Sequence, residues 1–196
     1  THSPSGLPAP AQKRDQPFCL DLAHPLPVFP PHSPDKTRDS YLDTYRKGWD
    51  VLRKERCARQ RSSGLVTDSW KFTGLSEVPV DRDDIANDFA GQTNPDWKGV
   101  AQNRQEDLVY RMATFAAMID HVDQGIGRII ALLEKGGDLE NTLILFTSDN
   151  GACYEWGPFG FDQVSRKGFT RLPHGDELKG LGGQGTYHSG GSDWSW

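Results

Sequence analysis

From Glu106 to Lys135 the apolar residues Leu108, Met112, Phe115, Ile119, Val122, Ile126, Ile129 and Leu133 recur at alternating intervals of four and three. That spacing lines one side of an α-helix about seven turns long. Each such side chain is worth about 1.5–3 kcal/mol when buried, so the pattern predicts a helix docked against other structure. Gly125 and Gly127 inside it cost about 1 kcal/mol each against alanine, which favours close approach to a sheet over a coiled coil. Gly136 and Gly137 stop the helix, and residues 138–141 make a turn. Residues 142–148, Thr-Leu-Ile-Leu-Phe-Thr-Ser, then predict a strand covered on both faces. A helix feeding a buried strand is α/β architecture. Open parallel sheets place their ligands beyond the carboxyl ends of the strands, and there this chain reads Asp149-Asn150-Gly151.

Weaker patterns fill the rest. Residues 17–24 alternate, with Phe18, Leu20 and Leu22 on one side, and predict a further strand in which Asp21 needs a hydrogen-bonding partner or contact with water. Five prolines between Pro25 and Pro34 make that stretch irregular. Over residues 39–60 the spacing of Tyr41, Tyr45, Trp49 and Leu52 predicts a second helix, crowded by Arg46, Lys47, Arg53, Lys54, Arg56 and Arg59, with Arg61 just beyond. Such a run suits a solvated face better than an anion site. Residues 65–104 carry turn signals and little periodicity and read as a variable excursion. Its acidic cluster, Asp81, Asp83, Asp84 and Asp88, fails the EF-hand pattern because Ile85 takes a ligand position and no glycine follows. Residues 1–16 are rich in proline, serine and charge and are expected to be a disordered or cut end.

Charge and composition narrow the function. With 22 basic against 27 acidic side chains the net charge is −5, which argues against nucleic acid as a general partner. No apolar run approaches the ~18 residues of a membrane span. Cys19, Cys57 and Cys153 form no Cys-x-x-Cys pair, and none of the six histidines has zinc-ligand spacing. Asp149 and Asn150 offer hard oxygens suited to Ca²⁺ or Mg²⁺, and Gly151 lets the backbone turn away. The same three residues also make an ordinary turn. The glycine-rich run 180–185 lacks a preceding strand and a Gly-Lys-Ser/Thr ending, so it reads as a loop rather than a phosphate cradle. His174, Asp176 and His188 are default solvated loop positions.

The stretch RMATFAAMIDHVDQGIGRIIALLEKGGDLENTLILFTSDNGACYEWGPFG, residues 111–160, closely resembles the arylsulfatases, formylglycine-dependent enzymes of the alkaline-phosphatase-like superfamily. The resemblance extends to YRKGWDVLRKERCARQ (45–60), PFCLDLAHPLPVFPPHSP (17–34) and GDELKGLGGQGTYHSGGSDW (175–194). It implies an α/β sandwich with a mostly parallel central sheet flanked by helices, here incomplete, with residues 17–196 forming part of a catalytic domain. It also implies hydrolysis of aryl or carbohydrate sulfate esters by a formylglycine beside a divalent cation, usually Ca²⁺. Asp149 and Asn150 match two of the family's metal ligands. Export to a periplasmic, extracellular or lysosomal-type compartment fits the same resemblance, and the oligomeric state is open.

Other parts of the family's site have no match. The nucleophile motif Cys-x-Pro-x-Arg, or its serine form, is absent, and Cys57-Ala58-Arg59-Gln60-Arg61 keeps only the terminal arginine. The formylglycine and an aspartate pair are expected in a missing N-terminal region, and a sulfate-binding lysine beyond Trp196. Where the family reads Ala-Pro-His-x-Pro, this chain reads Leu26-Pro27-Val28-Phe29-Pro30, and Val28 transfers no proton. His24 and His32 flank the gap as weak candidates to replace that histidine. The isolated chain is therefore expected to be inactive. The alternatives are a non-catalytic module that binds metal or sulfated glycan, a decayed fragment, or a phosphoesterase or phosphonate hydrolase of the same superfamily.

Overall fold

The structure, a computed structural model, describes residues 17–24, 26–71, 73–74, 92–151, 157–162 and 172–190. Their regular elements are helices: α1 (Asp35–Asp39), α2 (Leu42–Tyr45), α3 (Trp49–Ser62), α4 (Gln102–Gly136) and α5 (Asp176–Lys179). Single 3-10 turns lie at Trp97–Gly99 and Leu139–Asn141. Two compact units emerge, one of residues 1–27 with 118–151 and one of residues 28–117 with 152–196, and α4 contributes to both. Residues 1–16 and the acidic cluster Asp81, Asp83, Asp84 and Asp88 fall outside the described residues.

The second unit holds an apolar core of Leu42, Trp49, Trp97, Val100, Leu108, Val109, Tyr110, Ala113 and Leu181. Trp49 meets Trp97 edge to face, ring centroids 4.7 Å apart. This contact corrects the single helix expected over residues 39–60, which is instead the last residue of α1 followed by α2 and α3. Gly48, between the last two, has φ +80°, and a Cβ there would lie 2.3 Å from the Trp97 ring. The chain breaks its helix where the indole must pass, and only glycine permits both the close approach and the backbone angle. The Trp97 N–H donates to Asp50 Oδ2 at 2.9 Å, and Gln105 Nε2 donates to the Trp97 carbonyl at 2.7 Å. The described part of the 65–104 excursion is thus partly core rather than all surface loop.

Helix α4 forms where the periodicity placed it, but its first half buries only part of the expected seam: Leu108 is fully buried and Met112 partly so. Phe115 and Ile119 are 37% and 47% exposed, while Asp107, Arg111, Ala113, Thr114, Ala116 and Ala117 are buried. At Thr114 backbone comes in close: a Cβ on Gly182, at φ +85°, would stand 2.6 Å from Thr114 Cγ2.

In the first unit α4 ends in a Schellman arrangement, Asp138 N–H donating to the Leu133 carbonyl (3.0 Å) and Gly137 N–H to that of Glu134 (3.1 Å), with Gly137 at φ +79°. The following residues 142–148 form no strand, and Leu143, Leu145 and Phe146 are 84%, 84% and 78% exposed. Residues 17–24 likewise form no strand, with Phe18, Leu20 and Leu22 about half exposed. Strand conformation is held by a neighbour that takes its N–H and C=O groups, and no described segment pairs with either stretch. Nor does a neighbour press on Gly127, which has open space around it. The central sheet is therefore not seen among the described residues. None of their helices is long and apolar enough to cross a membrane.

Candidate functional site

Asp149 and Asn150 lie on a bend after the 142–148 segment, and both are exposed. Ser148 Oγ donates to the Asn150 carbonyl at 2.7 Å, and Asn150 Nδ2 donates to the Gly151 carbonyl at 2.7 Å. With its amide nitrogen spent on the turn, Asn150 presents Oδ1 as an acceptor next in sequence to the Asp149 carboxylate. These donors suit a hard cation. Yet no group of three potential ligands is found among the described residues, so two side chains offer far fewer than the six to eight oxygens calcium takes.

The other candidates are dispersed. His24 is exposed in the first unit. His32 is exposed in the second, its Nε2 2.7 Å from the Thr186 carbonyl and its ring edge-on to Tyr187. Asp176 and His174 are exposed as expected, but His188 is not: it is 1% exposed. The basic residues around α3 are largely engaged locally. Arg46 pairs with Asp43 and Glu106, Lys47 with Glu55, and Arg61 with Asp68. The Glu106 hydrogen bond, ahead of Asp43, holds the Arg46 pKa above its ordinary value. A shallow, mainly apolar cavity of about 290 Å³, bordered by Val100, Arg104 and Phe159, carries none of the predicted site residues.

The densest polar chemistry in the second unit is one that sequence reasoning missed. Arg111, wholly buried on α4, donates Nε to Asp107 Oδ1 (2.9 Å), bonds Asp162 through both terminal nitrogens (2.8 and 3.1 Å), and donates Nη1 to the Ser189 carbonyl (3.0 Å). Arg104 Nη1 closes on the other Asp107 oxygen at 2.6 Å. Burial opposes the Arg111 charge, but Asp107 and Asp162 outweigh it and its pKa is raised. A guanidinium so enclosed meets no solute. Its work is to tie the 157–162 and 186–190 segments to α4. The sequence signal was the i, i+4 pair Asp107 and Arg111, adjacent to Leu108 and Met112 on an apolar helix.

Comparison with known proteins decides the family. The sulfatase family model matches residues 9–193, nearly the whole chain. The chain belongs to the sulfatase family. An uncharacterized sulfatase of Schizosaccharomyces pombe is 32% identical over 141 residues, which cover 72% of this chain and 23% of that protein. The arylsulfatase of Klebsiella aerogenes is 28% identical over 171 residues, 81% of this chain and 33% of the relative. An N-acetylglucosamine-6-O-sulfatase of Bacteroides thetaiotaomicron is 48% identical over 116 residues, 59% of this chain and 17% of that protein. This sulfatase sequence thus spans a third or less of the length of these relatives. Family membership carries with it the alkaline-phosphatase-like α/β class, although the described residues are mostly helical.

Proposed function

We propose that the whole protein represented by this chain hydrolyses sulfate esters, and that Asp149 and Asn150 supply two oxygen ligands to its divalent cation, calcium ahead of magnesium. The match of the sulfatase model to residues 9–193 carries this reading. Asp149 gives the site its negative charge, and Asn150 a neutral carbonyl oriented by the bond from its own amide nitrogen to Gly151. When bound, such a cation polarises the sulfate oxygens and favours the ionised nucleophile.

The nucleophile belongs to a part of the protein outside this sequence, since no Cys-x-Pro-x-Arg or Ser-x-Pro-x-Arg occurs in it. The chain alone is accordingly inactive. Val28 leaves the proline-rich turn without a proton donor, and of the flanking histidines His32 is held at Nε2 by the Thr186 carbonyl. Its other ring nitrogen is the one that could exchange a proton with a substrate.

A chromogenic aryl sulfate tests the reading. The 196-residue chain with calcium releases no product, whereas a polypeptide extended upstream through a nucleophile motif does so in a calcium-dependent manner that Asp149→Ala abolishes. Calcium-dependent turnover by the short chain would refute its inactivity. An extended polypeptide with an intact nucleophile that ignores calcium or tolerates Asp149→Ala would refute the metal assignment. Discovery that the natural protein has no such motif would favour a non-catalytic module.

A further inference from the structure

We propose that segment 186–190 is an acid-released latch, seated on α4 while His188 is neutral and unseated when that imidazole takes up a proton. This inference is independent of the sulfatase reading and concerns residues outside the predicted metal site.

The latch is well fastened. Arg111 Nη1 donates to the Ser189 carbonyl, Ser189 N–H donates to the Phe161 carbonyl (2.9 Å), and Phe161 N–H donates to Ser189 Oγ (3.0 Å). Asp162 and His188 form an antiparallel bridge, and Gly160 lies so close to the Gly190 carbonyl that any Cβ would collide with it. Thr186 is held through its carbonyl by His32 and through its hydroxyl by Gly182 N–H and the Gly183 carbonyl.

Within this seat His188 is an exception, buried with neither ring nitrogen hydrogen-bonded. The charged and titratable groups that face it come from each neighbouring element: Arg111 on α4, Arg38 on α1, His32 before α1 and Asp162 across the bridge. Two of these four, Arg111 and Arg38, are cations. The Asp162 carboxylate is already bonded to Arg111. An imidazolium in this place would be a buried charge beside a buried arginine with no acceptor of its own. Burial first, then Arg111, His32 and Arg38, push the His188 pKa down to about 3. Undocked in water, the same side chain titrates near ~6.5. Proton uptake below that pH therefore requires, and favours, release of the segment.

Native-state hydrogen exchange on the 196-residue chain, corrected for the intrinsic rate, measures the opening. Between pH 7.5 and 5.5 the opening constant of amides in 186–190 should rise about tenfold, the ratio set by a group of pKa ~6.5 that protonates only when open. Amides at 108–117 of α4 should show no such rise. His188→Phe should remove the pH dependence. His32→Gln should keep it, because His32 donates to Thr186 in either protonation state. An opening constant that stays flat in the wild-type chain, that rises equally in α4, or that loses its pH dependence in His32→Gln overturns the proposal. So does a folded His188→Phe chain that retains the tenfold change. Should that variant fail to fold, the wild-type and His32→Gln measurements decide alone.

Discussion

Arg111 shows most plainly what a single position can hide. Its sequence context, between Tyr110 and Met112 in a strongly periodic helix, identifies the helix but not the inward direction of the charge. Only the fold brings Asp162 and the Ser189 carbonyl to it. Removing the cation while keeping its shape, as in Arg111→Met, leaves the buried Asp107 with Arg104 as its remaining partner and costs about 3–5 kcal/mol, the usual penalty for orphaning a buried charge. Urea denaturation should show this as a lower midpoint at unchanged slope. Replacing the more exposed cation in Arg46→Gln should cost less than ~1 kcal/mol, since its pairs with Asp43 and Glu106 lie in water. Equal losses in the two variants would deny that burial gives the Arg111 cluster its weight. Asp149 and Asn150 present the opposite case. Residue type alone suggests hard-cation ligands there, but no group of three potential ligands is found among the described residues.

At the scale of elements, α4 was legible because a regular period over some thirty residues has few other physical solutions, and its Gly136-Gly137 stop matches the observed termination. The helix over 39–60 was misjudged because its own periodicity continues across Gly48. The reason for the break, the Trp97 indole, lies 49 residues away in a stretch without pattern. Two glycines at positive φ differ in backbone region and in what surrounds them. Gly137→Ala places a side chain at φ +79° with open space around it and should cost about 1–2 kcal/mol. Gly48→Ala places a side chain in a region essentially reserved for glycine, φ +80° and ψ 160°, and drives its Cβ into a packed ring, so it should cost at least ~2 kcal/mol more. Thermal unfolding followed by circular dichroism ranks the two. If Gly48→Ala proves as mild as Gly137→Ala, the tryptophan pair does not set the break between α2 and α3.

On the scale of the whole molecule, the sheet was inferred from an apolar run whose composition is right for a central strand, and family membership supports that class. What the run cannot specify is its neighbours. A strand is completed by segments remote in sequence, and in the described residues Leu143, Leu145 and Phe146 remain in water with backbone groups unpaired by any strand. Each of these side chains would gain about 1.5–3 kcal/mol on burial, and no charge occurs from Asn141 to Ser148 to oppose edge-to-edge pairing. The 196-residue chain should therefore associate. Sedimentation should show species heavier than the 21.8 kDa monomer, increasing with concentration. Leu145→Lys should lower the associated fraction, because a charge on an open edge repels its like. Leu145 is so exposed that this change should alter folding stability by no more than about 0.5 kcal/mol, so a shift in mass reflects association rather than unfolding. A wild-type chain that stays monomeric as concentration rises would mean that the run is covered in solution and presents no open edge.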